Sequence, residues 1–169
     1  MRNMKRLLPL SISLVLLSLP FTDEAGTFMA AQEKPAAAPP LKIANLKDSS
    51  VIDGCGCYLQ FPAEGQKRFE KYVFMADIDE KEAWMNIEGR DVKLRLVDSI
   101  RDANRRVKVG DRSSRTYRAG DITVRVAYVV TRVCKPDDES CESTDYDATI
   151  SVTKGDRRGQ VKARGSCGC

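Results

Sequence analysis

Residues 122–131 read ITVRVAYVVT, and this stretch decides the fold class. Apolar side chains occupy alternate positions along most of it, and Thr123 and Arg125 stand between them. Successive side chains of a β-strand point to opposite faces, so a period of two is typical of a strand with one face in a core and the other in water. The segments 92–96 (VKLRL) and 148–153 (ATISVT) repeat the pattern. The chain is therefore predicted to be built from β-strands.

Turn-forming residues separate these strand candidates. The dipeptides concerned are Glu88-Gly89, Gly110-Asp111, Gly120-Asp121 and Gly155-Asp156. Glycine and aspartate tolerate the tight bends and positive φ angles that short turns require. Weaker strand candidates are 58–61, 71–76, 83–87 and 106–109. About eight short strands joined by turns, without long helical crossovers, predict an all-β fold that is either an antiparallel sandwich or a small barrel.

The beginning of the chain, residues 1–31, has the organisation of a signal peptide. A basic start (MRNMKR) precedes the uncharged apolar run 7–19, which is shorter than the roughly 20 residues that span a bilayer. The small residues at 30–31 offer a cleavage site. The segment 32–48 is rich in proline and alanine and lacks periodicity, so it is predicted to be a tether. Residues 49–169 then form a single all-β domain that is exported to the periplasm or the extracellular space.

Charge and residue content restrict the classes of function. The formal net charge of +4 is too small to indicate nucleic acid or a membrane surface as the partner. The chain contains no histidine, which removes Ser–His and Cys–His catalytic pairs and histidine–metal sites. Catalysis would have to rest on thiols, carboxylates, lysine or tyrosine, so a non-enzymatic protein without a cofactor or bound metal is favoured. We expect no nucleic-acid partner and no membrane span in the mature chain.

Six cysteines lie in the predicted domain, and an even number in an exported protein is typical of a disulfide framework. Cys134 and Cys141 bracket the acidic segment KPDDES between two strong strand candidates. This spacing suits a crosslink across a hairpin loop, whose closure contributes about 2.5 kcal/mol on the chain-entropy estimate.

Two Cys-Gly-Cys motifs open and close the predicted domain. Residues i and i+2 of a strand share a face, so each motif presents two thiols to one side. If the first and last strands are neighbours, antiparallel pairing would join Cys55 to Cys169 and Cys57 to Cys167, whereas parallel pairing would join Cys55 to Cys167. The structural interpretation is a pair of disulfides. The alternatives are a tetrathiolate metal site and a redox-active dithiol.

Two charged segments are predicted binding surfaces. The basic region 101–118 would suit an anionic envelope polymer or an acidic protein, and its alternative is a solvated edge that charge protects from aggregation. The loop between Cys134 and Cys141 is acidic, and a disulfide would lower the entropic cost of its binding to a protein partner. The candidate binding residues are Arg105, Arg106, Arg112 and Arg115 in the basic region, and Asp137, Asp138 and Glu139 in the loop.

The size, export signal and β pattern resemble those of small periplasmic lysozyme inhibitors, which are β-barrels that block a cationic enzyme with a loop. The resemblance is one of shape, since no motif of that family is matched. The favoured hypothesis is an exported, non-enzymatic binding or structural domain, such as an inhibitor or an envelope-associated interaction protein. Its alternative is a thiol redox or metal-binding protein that uses the two Cys-Gly-Cys motifs.

Overall fold

The computed structural model describes residues 38–62, 71–101, 106–135, 137–138 and 140–169. These residues form nine β-strands: β1 (Ile43–Ala44), β2 (Gly56–Gln60), β3 (Phe74–Asp77), β4 (Glu82–Ile87), β5 (Arg90–Ile100), β6 (Arg112–Ala119), β7 (Ile122–Arg132), β8 (Ser143–Lys154) and β9 (Arg157–Gly168). Within the described part of the chain, no helix has the length and apolarity needed to cross a membrane. The predicted signal peptide and the first part of the predicted tether lie outside the described residues.

Strands β2 to β9 form a closed antiparallel barrel. The order around it is β4-β3-β2-β9-β8-β7-β6-β5, and β5 pairs again with β4 to complete the ring. That last seam runs from the pair Glu82 and Arg95 to the pair Ile87 and Arg90. The prediction of an all-β, antiparallel, disulfide-stapled fold is confirmed, and the barrel is the alternative found.

Alternation along the strands fills the barrel with side chains. In β7, Val124 and Val126 are fully buried while Arg125 between them is exposed. Small eight-stranded barrels have an interior just wide enough for side chains or one small ligand. The barrel core includes Leu59, Phe74, Ala83, Met85, Leu94, Tyr117, Val124, Val126, Ile150, Val152 and Ala163.

One weaker strand candidate, 106–109, is wrong. Strand β6 begins only at Arg112, and the backbone N–H of Gly110 donates to the carbonyl of Val130 at 2.9 Å. Val107 and Val109 remain exposed, so their alternation does not mark a buried face.

The chain joins the fold earlier than the predicted domain boundary at residue 49. Strand β1 lies beside the last residues of β4, with Ile43 opposite Ile87. Just before it, Leu41 is buried and its N–H donates to the carbonyl of Arg158 at 2.9 Å. The segment therefore covers the part of β9 that the shorter β2 does not reach. Leu41 and Ile43, at the end of the Pro/Ala-rich stretch, pack against the barrel core and so anchor this segment.

Arg157 fixes the point where this segment enters the barrel. Its guanidinium donates to the carbonyls of Pro39 at 3.0 Å and Pro40 at 3.2 Å. The same group forms an ion pair with Glu88 at 3.0 Å, and the Glu88 carboxylate also accepts the N–H of Lys42 at 2.7 Å.

The two ends of the barrel are built differently. At the end that we call the closed end, two-residue turns join β4 to β5, β6 to β7 and β8 to β9, and the connection 61–73 joins β2 to β3 on the same side. The first of them has positive φ at both Glu88 (53°) and Gly89 (77°), as tight hairpins favour. At the opposite, open end lie the turn 78–81 and the longer connections 101–111 and 133–142.

Three disulfides crosslink the described chain, and they are compatible with an oxidising environment such as that met by exported proteins. Cys55 is bonded to Cys169 and Cys57 to Cys167, which is the antiparallel pairing across β2 and β9. The third bond joins Cys134 to Cys141 in the β7–β8 connection. All three lie at or near the open end.

Candidate functional site

The open end brings together the two segments that the sequence singles out. The basic β5–β6 connection and the acidic β7–β8 connection both border it. Arg106 and Arg112 are exposed there, as are Asp137 and Asp138. Two further predicted binding residues, Arg105 and Glu139, lie outside the described residues.

Arg115 does not belong to an exposed basic surface. It points into the barrel from β6 and is only 5% exposed. Its guanidinium forms an ion pair with Glu80 and donates to the carbonyl of Ser114 at 3.3 Å. Arg115 is inside and its neighbouring arginines are outside because successive side chains of a strand point to opposite faces. A count of arginines along the sequence does not show which of them face inward.

Glu80 reaches Arg115 from the β3–β4 turn. Its φ of 57° lies in the left-handed region, where a residue other than glycine is strained by about 1–3 kcal/mol. The turn is held by a hydrogen bond from the N–H of Glu80 to the carbonyl of Asp77 at 2.9 Å. The Glu80 carboxylate lies between Arg115 and the Cys57–Cys167 disulfide, with Oε1 3.7 Å from the Sγ of Cys57.

A cavity of about 210 Å³ opens above this ion pair. It is smaller than the roughly 300–1,000 Å³ of pockets that take drug-sized ligands. Its lining combines charged, aromatic and apolar groups: Glu80, Arg101, Val107, Asp111, Arg112, Ser113, Arg115, Tyr128, Val130, Tyr146 and Cys167.

Tyr128 supplies an unusual polar group to this cavity. Its side chain is 3% exposed, and its hydroxyl has no hydrogen-bond partner in the described part of the chain. The ring packs edge-on against Tyr146, with centroids 5.4 Å apart. A buried hydroxyl without a partner costs about 1–3 kcal/mol, so a hydroxyl in a cavity wall takes its partner from what fills the cavity, a water or another bound molecule.

Tyr117 carries a second such hydroxyl deeper in the barrel. It is fully buried, its ring packs against Phe74 at 5.5 Å, and its hydroxyl also has no partner among the described residues. Unlike Tyr128, it does not line the cavity. The two tyrosines therefore form a natural pair for comparison.

Alkaline pH should reveal this buried cluster. Burial raises the pKa of Tyr128 and of Tyr117, and the nearby Glu80 carboxylate raises both further. Tyrosines of the unfolded chain ionise near pH 10, so folding stability is full below about pH 10 and decreases as the pH rises above it. In a titration followed by phenolate absorbance and circular dichroism, we expect two phenolates to form only as the structure is lost. Normal ionisation of all five tyrosines in a folded protein would contradict the burial.

The sulfur atoms near Glu80 are not a metal site in this form. One ligand atom each from Cys57, Glu80 and Cys167 lies within 4.8 Å of the others. However, the two sulfurs are bonded to each other, and metal binding by cysteine requires the thiolate.

No protein-family model, curated protein or solved structure matches this chain. The case for a site therefore rests on its geometry. Sequence reasoning missed Glu80, Tyr128 and Tyr146 as site residues. The available signal was a tyrosine at an inward position of a valine-rich strand, which places a hydroxyl in the core.

Proposed function

We propose that this chain is an exported, non-enzymatic binding protein that holds a small molecule at the open end of its barrel. The observation that carries the proposal is the buried hydroxyl of Tyr128 in the wall of the cavity, which has no hydrogen-bond partner among the described residues. The predicted binding segments, in the connections 101–111 and 133–142, lie at the same end, which supports a binding role for it.

The ligand is expected to offer hydrogen-bond acceptors and a negative charge. Three arginines line the cavity: Arg101, Arg112 and Arg115. Glu80 and Asp111 also line the cavity, Glu80 in an ion pair with Arg115 and Asp111 accepting the N–H of Lys108 at 3.0 Å, so the lining has a net charge of +1 (three arginines minus two carboxylates). Val107 and Val130 supply an apolar wall for the uncharged part of the ligand. A small carboxylate-bearing ring compound meets these requirements.

Tyr128→Phe tests this role, and Tyr117→Phe is its matched control. Each change removes a hydroxyl without a partner, so both variants should gain about 1 kcal/mol of unfolding free energy. Only Tyr128→Phe should weaken ligand binding, by about tenfold or more if the hydroxyl bonds to a charged group.

The measurement is calorimetric titration with benzoate and with glucuronate, alongside thermal unfolding of both variants. Equal affinity of the wild-type protein and Tyr128→Phe for a molecule that binds the wild type would exclude the cavity as the binding site. Failure of both probes to bind would argue against a small anionic ligand.

The disulfide-closed loop stays a predicted contact for a protein partner. Asp137 and Asp138 are exposed on it. Arg132 braces its base by an ion pair with Asp145 at 2.6 Å and by an N–H directed at the Sγ of Cys141 at 3.2 Å.

A thiol redox protein is the second candidate, because the Glu80 carboxylate adjoins Cys57 while Cys167 lines the cavity. A dithiol would reduce the Cys57–Cys167 bond to two thiols and would itself be oxidised to a disulfide, with Glu80 placed to exchange a proton. Intact mass after mild dithiothreitol treatment and alkylation separates the candidates. Two alkylated thiols at Cys57 and Cys167 in a folded protein favour the redox candidate, whereas an unmodified protein favours binding.

A further inference from the structure

The outer wall of the barrel carries a basic surface that is distinct from the cavity. It spans β5 to β7, and its three exposed members are Arg95, Arg118 and Arg125, which we call the basic wall. Strand register relates them: Arg95 lies opposite Arg118, which lies opposite Thr123. Spacings of about 4.8 Å between strands and 6.8 Å between alternate residues place Arg118 and Arg125 about 8 Å apart at the backbone.

The charges of the basic wall are not neutralised locally. None of its three side chains is ion-paired with a carboxylate of the described chain. Glu82 lies opposite Arg95, but its carboxylate pairs with Lys93 at 2.7 Å. The nearest outward carboxylate on these strands, Asp98, lies opposite Thr116, about 8 Å from Arg118 at the backbone.

Arg95 and Arg118 are direct cross-strand neighbours. Like charges at such positions destabilise a sheet. The Arg95–Arg118 pair therefore lowers the stability of the sheet where β5 meets β6. Such a local loss of stability is common at functional surfaces.

Beside the cations lies a set of short hydrogen-bonding side chains. Ser151 of β8 lies opposite Arg125 and accepts from Gln160 of β9 at 3.3 Å, and Thr149 beyond it accepts from Lys162 at 2.9 Å. Thr123 of β7, which is opposite Arg118, also lies directly opposite Thr153 of β8. The outward positions of β6 to β9, all of which the structure describes, hold no aromatic residue. Single-stranded nucleic acid needs aromatic stacking platforms, and protein interfaces are enriched in aromatic anchors.

We propose that the basic wall binds a linear anionic polysaccharide. The cations would contact its sulfate, phosphate or carboxylate groups, and the threonine, serine and glutamine side chains would bond to its hydroxyls. Because the wall faces outward and the cavity lies inside the open end, this inference does not depend on the proposed small-molecule site.

Heparin, a linear sulfated polysaccharide, is the probe that tests the wall. In Arg118→Glu/Arg125→Glu, we expect affinity for a heparin oligosaccharide to fall by about tenfold or more, and retention on a heparin column to move to lower salt. Wild-type binding should weaken steadily as salt rises, since counterions are released on association.

The matched control is Lys47→Glu/Lys135→Glu, which makes the same change in net charge at two exposed lysines outside the wall. Its affinity should stay within about twofold of wild type, because charges beyond a Debye length are largely screened. Equal losses in both variants would show that net charge alone drives binding and would overturn the proposal. Tighter binding to duplex DNA of matched length, lost in the wall variant, would also overturn it. Unchanged thermal unfolding of the variants verifies that they remain folded.

Discussion

Replacement of Cys55, Cys57, Cys167 and Cys169 by alanine is expected to unfold most of the protein. The two bonds have sequence separations of 114 and 110 residues, so one encloses the other. On the chain-entropy estimate, the first bond to form contributes about 4.7 kcal/mol, and the second, which then closes only a small ring, about 2 kcal/mol. Their joint removal therefore costs about 7 kcal/mol, within the 5–15 kcal/mol that is typical of total stability.

Removal of either pair alone should cost only about 2 kcal/mol, because the remaining bond still closes the large loop. The sum of the two single-pair effects is then well below the effect of the quadruple variant, a non-additivity that identifies the nesting. Urea unfolding of the two pair variants, and the folded fraction of the quadruple variant from circular dichroism without denaturant, measure it. A quadruple variant that loses no more than the two pairs added together would show that the bonds act independently.

Gly165→Ala is expected to destabilise the protein by about 3 kcal/mol or more, since overpacking that forces backbone movement is costly. Gly165 is on β9 opposite Leu59 of β2. A Cβ at this position would collide with the carbonyl oxygen of Tyr58 and would lie 3.0 Å from the Cα of Leu59. Both neighbours are backbone atoms, so the seam between the first and last barrel strands would have to open.

Ser166→Ala is the control for this change. It alters the next residue of β9, whose neighbour across the seam is Tyr58, without adding an atom in the crowded direction. Denaturant midpoints of the two variants should differ clearly. Equal midpoints would show that β2 can move away from β9 at little cost.

Much of the barrel could be predicted because its signals are local. The alternation in residues 122–131 depends only on the period of a strand, and β7 spans this stretch with Val124 and Val126 inside. The closure of β5 onto β4 could not be predicted, because an antiparallel pattern serves a sandwich and a barrel equally well. The burial of Leu41 could not be predicted, because a single apolar residue next to a Pro/Ala-rich stretch forms no periodic pattern.

The candidate site was harder to predict because its parts are distant in sequence. Arg115 reads as one more surface arginine until Glu80, 35 residues earlier, is brought beside it. The hydroxyl of Tyr128 acquires significance only from the lack of a neighbour, which no local pattern encodes. The cysteine pattern left an antiparallel and a parallel pairing open, and the structure has the antiparallel one.

The hydrogen bonds from Arg157 to Pro39 and Pro40 fix the end of the barrel at which the chain enters it. These contacts are at the closed end, so the polypeptide that precedes Pro39 joins the domain at the pole opposite to the cavity. Strands of up to 12 residues, at most about 40 Å long, separate the two poles. The chain therefore enters the barrel at the closed end, and the cavity opens at the other end.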